Sequence, residues 1–446
     1  MTSSLSDAPV GVAPTATRDE PRAYAAPVGG DPAFVPDSVI VPEDALTLSG
    51  GAGAGTGSPP PPVSPARANA VLVALAVAAF LVVSNEISPM GLLDSMSKDL
   101  GRSEAEIGLA ATVFAIAVMI ATLPLALLTT RFVRRWVIVG ALGLLTVGTF
   151  LAASADTYSA LLMSRVVTGS AHALFWAVVT PAAAGMFPLA DRGKSVARLM
   201  LGASAAGVIG LPGETYLAQH VGWHTPYWII TAGAALLAIV IAILMPSFRT
   251  QQATIVRGEI PSLGRFGRVM AVTALSTAAM SLTWTYFTPF VTEVAGFADD
   301  TVPLLLLYGG GVGVITTWMV ARYLDRWPVK SVVLGEGLLV VMFGSMAVLG
   351  SFKVAAIGII GLQGIGWSIL VSAMINWALR HSPWTSDIGN GTYAVLFNTG
   401  NAVGSRAGAV ILAAWGAQWL PAASVLLVGG ALAIAATTPR LRRLRR

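Results

Sequence analysis

The groups with most to say chemically are the few ionisable and amide side chains set inside long apolar runs. The stretch from Val71 to Leu93 reads VLVALAVAAFLVVSNEISPMGLL. It is long enough to cross a bilayer, which takes about 20 apolar residues, yet it carries Glu86 beside Asn85 and three residues before Pro89. An ionised carboxylate is costly in hydrocarbon, so it should face protein or a wet cavity. Proline donates no backbone hydrogen bond and crowds the carbonyl four residues back, which leaves a bare oxygen on Asn85 next to the acid. An acid, an amide and a loosened turn in a greasy run suit a proton or solute site. The plainer alternative is an acid that merely pairs with a neighbouring helix.

Other polar groups are spaced as helices would present them. Arg165, Gly169, His172 and Trp176 are four, three and four apart and fall on one helical face. An Arg so placed needs a partner or water, or else snorkels outward. His172 can bond a solute or carry a proton near neutral pH, and it can equally be a satisfied buried polar group. Gly202, Ala206 and Gly210 recur every four residues, a spacing that lets helices approach closely; Pro212–Gly213 is expected to bend the outer end of that helix, and Pro89, Gly207, Gly210, Pro212 and Gly213 are expected to help gating. Glu214 follows directly. Gly400, Gly404 and Gly408 repeat the small-residue spacing, flanked by Asn398 and Asn401 and followed by Arg406. The Asn amides either glue helices or bind a solute. Trp284, Tyr286, Gln363, Trp367 and Asn376 add aromatic faces and amides, which suit a neutral polyhydroxylated or amphipathic solute and also serve as interface anchors.

The elements that must position these groups are membrane spans. Of 446 residues, 55% are hydrophobic and only 11% charged, against about 25% charged in a soluble domain; the mean hydropathy is +0.74. Apolar runs at 68–92, 106–129, 136–155, 158–182, 194–217, 225–245, 269–291, 301–322, 331–349, 354–379, 388–415 and 421–438 predict twelve transmembrane helices, since a lone lipid-facing segment must satisfy its own backbone. Arg131, Arg134, Arg135, Arg192, Lys194, Arg198, Arg249, Arg257, Arg265, Arg268, Arg322, Arg326, Lys330 and Arg380 fall on one side, with only Lys98, Arg102 and Lys353 on the other. That bias puts both termini in the cytoplasm. The net charge of +5 is then topological, with some attraction to anionic lipid, and is no sign of nucleic-acid binding. In this orientation Glu86, Arg165, Glu214 and Arg406 share the outer third of the membrane and are expected to form one charge cluster that changes when Glu86 takes a proton.

The domain reading follows the same pattern. Residues 1–66, rich in Pro, Gly, Ala and Ser, are expected to be a disordered cytoplasmic tail. A six-helix half at 67–245, a cytoplasmic linker at 246–268, a second six-helix half at 269–438 and a basic tail at 439–446 complete the chain. Arg131-Phe132-Val133-Arg134-Arg135-Trp136 after the second run and Arg322-Tyr323-Leu324-Asp325-Arg326-Trp327 after the eighth share the register R-aromatic-aliphatic-x-R-W, as parallel repeats of a transporter would.

Several chemistries are absent from the pattern. There are no cysteines, hence no disulfide or thiol chemistry. Gly193-Lys194-Ser195 ends like a phosphate-binding loop, but Pro188 stands where its first glycine is required. His220 and His224 have no further ligand near in sequence to make a metal site. No nucleophile–base arrangement is legible, so the reading is not an enzyme, with no cofactor and no metal.

Taken together, the motifs resemble the major facilitator superfamily, and within it the drug:proton antiporter branch containing the sugar efflux transporters. The resemblance rests on Glu86-x-x-Pro89-x-x-Leu92-Leu93, Leu125 to Thr129 with its basic turn, Ser164-Arg165 through Ala171 to Trp176, Gly210-Leu211-Pro212, Gln219-x-x-Gly222-Trp223, Pro289-Phe290-Val291 with Val294-Ala295-Gly296, and Asn398-x-Gly400. It implies twelve helices around a central cavity and alternating access driven by protons. It also implies that Arg165 with Gly169 takes part in proton coupling and that Gly207 through Gly213 is an antiporter motif. Departures are Glu214 in place of a glycine, Thr215 in place of an Arg and Thr288 in place of an acid. The expectation is a proton-coupled exporter of the bacterial inner membrane, monomeric, in contact with solute, protons and lipid. A sugar-like solute is the first expectation and an amphipathic drug or metabolite the alternative; a non-transporting receptor or scaffold is the remote one.

Overall fold

A computed structural model describes residues 64–129, 132–188, 191–247, 260–324, 327–384 and 386–437. The expected disordered tail up to residue 63, Arg131 and Asp325–Arg326 of the repeated loop, Arg249 and Arg257 of the linker, and the basic C-terminal tail lie outside the described residues.

The regular structure among the described residues is helical. α1 spans Pro65–Leu100, α2 Glu104–Thr129, α3 Arg134–Ala153, α4 Tyr158–Gly185, α5 Arg192–Ala205, α6 Leu211–Val221 and α7 His224–Leu244. They are followed by α8 Leu263–Trp284, a one-turn α9 Phe287–Pro289, α10 Val302–Leu324, α11 Pro328–Leu349, α12 Lys353–His381, α13 Ser386–Trp415 and α14 Leu420–Ala436. Ten helical stretches are long and apolar enough to cross a membrane among the described residues. This is a multi-pass membrane protein. α8 and α13 are also long, but their runs are interrupted by polar residues, Thr and Ser in α8 and Asn, Thr and Ser in α13.

Local chemistry sets several helix ends. Ser64 accepts from the Arg67 amide at the start of α1, with Pro65 in the first turn, and Gly101 ends it at φ 59°, where glycine is favoured. α1 therefore runs two turns past the expected end at residue 92. Ser262 caps α8 in the same way, so that helix begins at Leu263 rather than 269. The backbone just before it is held against the end of α12, through Ile260 N–H to Arg380 O and Ser262 N–H to His381 O.

Two π-helical turns were not foreseen. One, Ala206–Gly210, joins α5 to α6; the other, Phe290–Val294, follows α9. Pro212 supplies no N–H to Val208 O inside the first turn, while Pro289 immediately precedes the second. The chain widens its register there, with Leu211 N–H donating to Ala206 O and Ala295 N–H to Phe290 O. Next to Pro212–Gly213, where a bend was expected, the structure has this change of register at Ala206–Gly210.

Packing recurs along the chain. α1 packs on α5, α2 on α4, and α3 on α4 and α7; α8 packs on α13, α10 on α12, and α11 on α12 and α14. Between the two sets, α2 meets α13 and α6 meets α10. The small-residue stripes are where backbones touch. A Cβ on Gly202 would strike the Ala76 carbonyl, and one on Gly210 the Ser84 hydroxyl. Gly400, Gly404 and Gly408 lie against Ala274, Ala278 and Leu282 carbonyls of α8 in the same manner.

Candidate functional site

The site is built outward from Pro89. Its missing N–H frees the Asn85 carbonyl, and that oxygen accepts from Arg165 Nη1 of α4 at 2.8 Å. Arg165 Nη2 donates to the next carbonyl, Glu86 O, at 3.0 Å, and Nη1 also reaches Asn85 Oδ1 at 3.4 Å. The guanidinium lies over the Phe114 ring, 4.6 Å from its centroid, and Arg165 is wholly buried. Its donors are thus directed to helix backbone rather than to a carboxylate. Gly169, one turn along α4, lets α2 come close: a Cβ there would meet the Phe114 carbonyl at 2.8 Å.

Glu86 itself points into a cavity of about 580 Å³. It retains 23% side-chain exposure, and His172 Nδ1 is 3.6 Å from its Oε2, too long for a firm hydrogen bond. The walls also carry Pro89, Phe114, Gly207, Trp284, Gln363, Trp367, Phe397, Asn398 and Asn401. Among the described lining residues Glu86 is the one ionisable group. Asn398 donates to Ala394 O, and its buried Oδ1 has no hydrogen-bond partner among the described residues. The Trp367 ring lies 6.2 Å from that of Phe397. The chamber is therefore aromatic and apolar with a few amides, and it carries one acid.

Toward Gly101 the chamber is sealed by direct packing. Leu92, Leu93 and Met96 join one apolar cluster with Phe287 and Phe290. Thr288 donates to Met90 O at 3.2 Å, Gln219 Nε2 to Asp299 O at 2.6 Å, and the Thr112 and Ser405 hydroxyls meet at 2.6 Å.

Not every expected residue joins the chamber. Tyr286 is fully buried and donates to Ser405 O at 2.9 Å; it is a strut between α8 and α13, because the missing side chains of Gly108 and Gly408 make room for its ring. Arg406 does not reach the other charges: it is exposed, on the face of α13 shared with Val403 and Val410, while Ser405 and Gly408 take the inward side. The expected four-charge cluster is accordingly not assembled, and the described residues contain no ion pair among Glu86, Arg165, Glu214 and Arg406. Glu214 is buried one layer away, its Oε2 2.6 Å from Ser88 Oγ. Asn85 is buried against Arg165, and His172 stands edge-on to Phe114 and beside Trp176, behind the wall. Asn376 lies a turn beyond the lining residue Ser372. Pro212 is buried and Gly213 exposed outside the chamber.

Sequence reasoning missed Ser88, Phe114 and Glu336. Glu336 of α11 is fully buried, with Oε1 against the Ser276 hydroxyl and Oε2 without a hydrogen-bond partner among the described residues. A charged residue inside an apolar run was the signal that would have found it.

Residues 75–385 match the family model of the Major Facilitator Superfamily. The chain belongs to the major facilitator superfamily. Among its curated relatives is the chloramphenicol efflux pump MT0201 of Mycobacterium tuberculosis (strain CDC 1551 / Oshkosh), 28% identical over 348 residues, which are 76% of this chain and 84% of that protein. Solved superfamily structures share the fold. A point mutant of the nucleoside transporter NupG superposes with TM-score 0.67 at 13% identity, covering 82% of this chain and 98% of that one. The human organic anion transporter MFSD10 (TETRAN) gives 0.63 at 16%, covering 84% and 100%. The superfamily assignment makes the chain a membrane transporter, and the chamber its candidate solute site.

Proposed function

We propose that this protein is a proton-coupled antiporter that exports an uncharged small solute by alternating access. The observation that carries the reading is the solitary Glu86 carboxylate on the chamber wall, next to an arginine whose hydrogens are directed to the Asn85 and Glu86 carbonyls. An acid that forms no ion pair with an arginine or lysine among the described residues can be neutralised by a proton, which removes its desolvation cost and makes the opposite-facing state accessible. Solute then binds from inside, the proton leaves, and the return step carries the solute out. We read the architecture as twelve spans, counting α8 and α13, in two six-helix halves joined by the 246–268 segment, with both termini cytoplasmic in a bacterial inner membrane. The recurring helix pairings support the halves. On this reading the sealed end near Gly101 faces outward and the chamber belongs to an inward-facing state.

For the solute, the aromatic and apolar walls favour an amphipathic molecule with several neutral polar atoms, and the relative named as a chloramphenicol efflux pump points the same way. A sugar-like solute is the second reading, favoured by the amides of Gln363, Asn398 and Asn401. Proton-driven flux in reconstituted vesicles tests both, with chloramphenicol against a thiogalactoside or arabinose. Glu86→Gln should abolish gradient-driven export while leaving solute binding and exchange. Outward accumulation at the normal rate in that variant would remove Glu86 from the coupling role.

A further inference from the structure

A second cavity, of about 420 Å³, opens on the outer surface of α1 and α5. Its sides are apolar: Val73, Val77 and Phe80 of α1 face Ile209, which sits in the π-helical turn after α5. Its floor is narrow because Gly202 lets α5 touch the Ala76 carbonyl. One end alone is polar. There Arg198 Nη1 donates to Asn69 Oδ1 at 3.4 Å, both residues being exposed. Among the described residues no carboxylate pairs with Arg198; nearby Asp191 is engaged by Lys194 at 3.0 Å. A guanidinium with most of its donors open therefore stands at the mouth of a greasy slot.

The dimensions match one leaflet. From Asn69 to Phe80, and from Arg198 to Ile209, the walls run eleven residues. At 1.5 Å per residue this is about 16 Å, half of a hydrocarbon core of about 30 Å. Asn69 lies in the second turn of α1 and Arg198 in the second of α5, so the polar end sits at headgroup depth and the apolar end at the membrane centre. Basic pockets between helices on the cytoplasmic side are suited to anionic lipid headgroups.

We propose that this groove is a binding site for one anionic phospholipid, with an acyl chain along Val73, Val77 and Ile209 and the phosphate on Arg198. The complementary charge at one end and the absence of polar groups along the rest favour a lipid over the exported solute. The same helix has its other face on the chamber, through Ser204, Gly207 and Val208, so the lipid would brace the wall that separates groove from chamber. This inference does not depend on the choice of solute or on proton coupling.

The test is native mass spectrometry of the full-length protein in detergent, titrated with phosphatidylglycerol or phosphatidylcholine. Phosphatidylglycerol should be retained about fivefold better, the scale of one basic contact at the membrane surface. Arg198→Gln, an exposed change, should erase that preference. Val77→Trp, which fills the slot, should lower retention of both lipids, and Ile209→Trp repeats the test from the opposite wall should the first variant fold poorly. Equal retention of phosphatidylglycerol by the wild type and by Arg198→Gln would overturn the site. So would displacement of the lipid by chloramphenicol or a thiogalactoside, or a dimer in place of a lipid adduct.

Discussion

A hydroxyl has one hydrogen, and two buried serines are each asked for more. Ser88 Oγ lies 2.8 Å from Ser84 O and 2.6 Å from Glu214 Oε2; Ser276 Oγ lies 2.7 Å from Val272 O and also meets Glu336 Oε1. If each serine gives its hydrogen back to its own helix, the contact with the acid needs the acid's proton. Glu214 and Glu336 should therefore be protonated carboxylic acids in this state. Infrared difference spectra of Glu214→Gln and Glu336→Gln check this: each should lose a protonated-carboxyl band present in the wild type at neutral pH. Arg165 gives a second prediction. It bridges two carbonyls with two nitrogens, a fork that a lysine ammonium does not reproduce. Arg165→Lys should cut transport more than tenfold while the protein still inserts, measured as vesicle flux against purified yield. The Asn85 carbonyl was legible in the sequence because the effect of proline is local, four residues back. The Glu336 pairing was not, since it joins helices 60 residues apart, and nothing in spacing alone tells a strut such as Tyr286 from a chamber residue such as Trp284.

The helices follow apolar run length, and the small-residue stripes follow a spacing of four; both could be read directly. Their partners could not. That Gly202 meets α1, and that Gly400, Gly404 and Gly408 meet α8, is a property of tertiary packing. The consequence is steric. Gly404→Val would press a side chain into the Ala278 carbonyl, and overpacking of this kind costs about 1–3 kcal/mol or more. Its thermal midpoint in detergent should fall by several degrees. Gly337, with open space around it, should tolerate alanine with little change. The π turns were invisible in the sequence because proline announces a lost hydrogen bond but not how the chain will absorb it. Pro212→Ala restores the N–H at that position, and hydrogen exchange across Ala206–Gly210 should slow as the turn returns to α-helical register.

For the molecule as a whole, the sealed end is the testable object. The chain has no cysteine, so a pair can be introduced without background. Thr112→Cys with Ser405→Cys places two thiols where hydroxyls now meet, and a short bis-methanethiosulfonate, each end losing a sulfinate to a cysteine thiolate, should join them and stop flux, with reduction of the resulting disulfides restoring it. Unimpeded flux in the linked protein would mean that α2 and α13 need not part at this point. The proposed alternating-access cycle requires α1 to keep Glu86 chargeable through every state, and the candidate for that task is a residue with no charge at all. Were Pro89 replaced by alanine, the new N–H would claim the Asn85 oxygen, and the guanidinium now resting there would be free to turn on the neighbouring carboxylate. A swap between two neutral residues would then behave as an electrostatic lesion, trapping Glu86 as a permanent anion in an internal zwitterion and, in the proposed cycle, uncoupling export from the proton gradient.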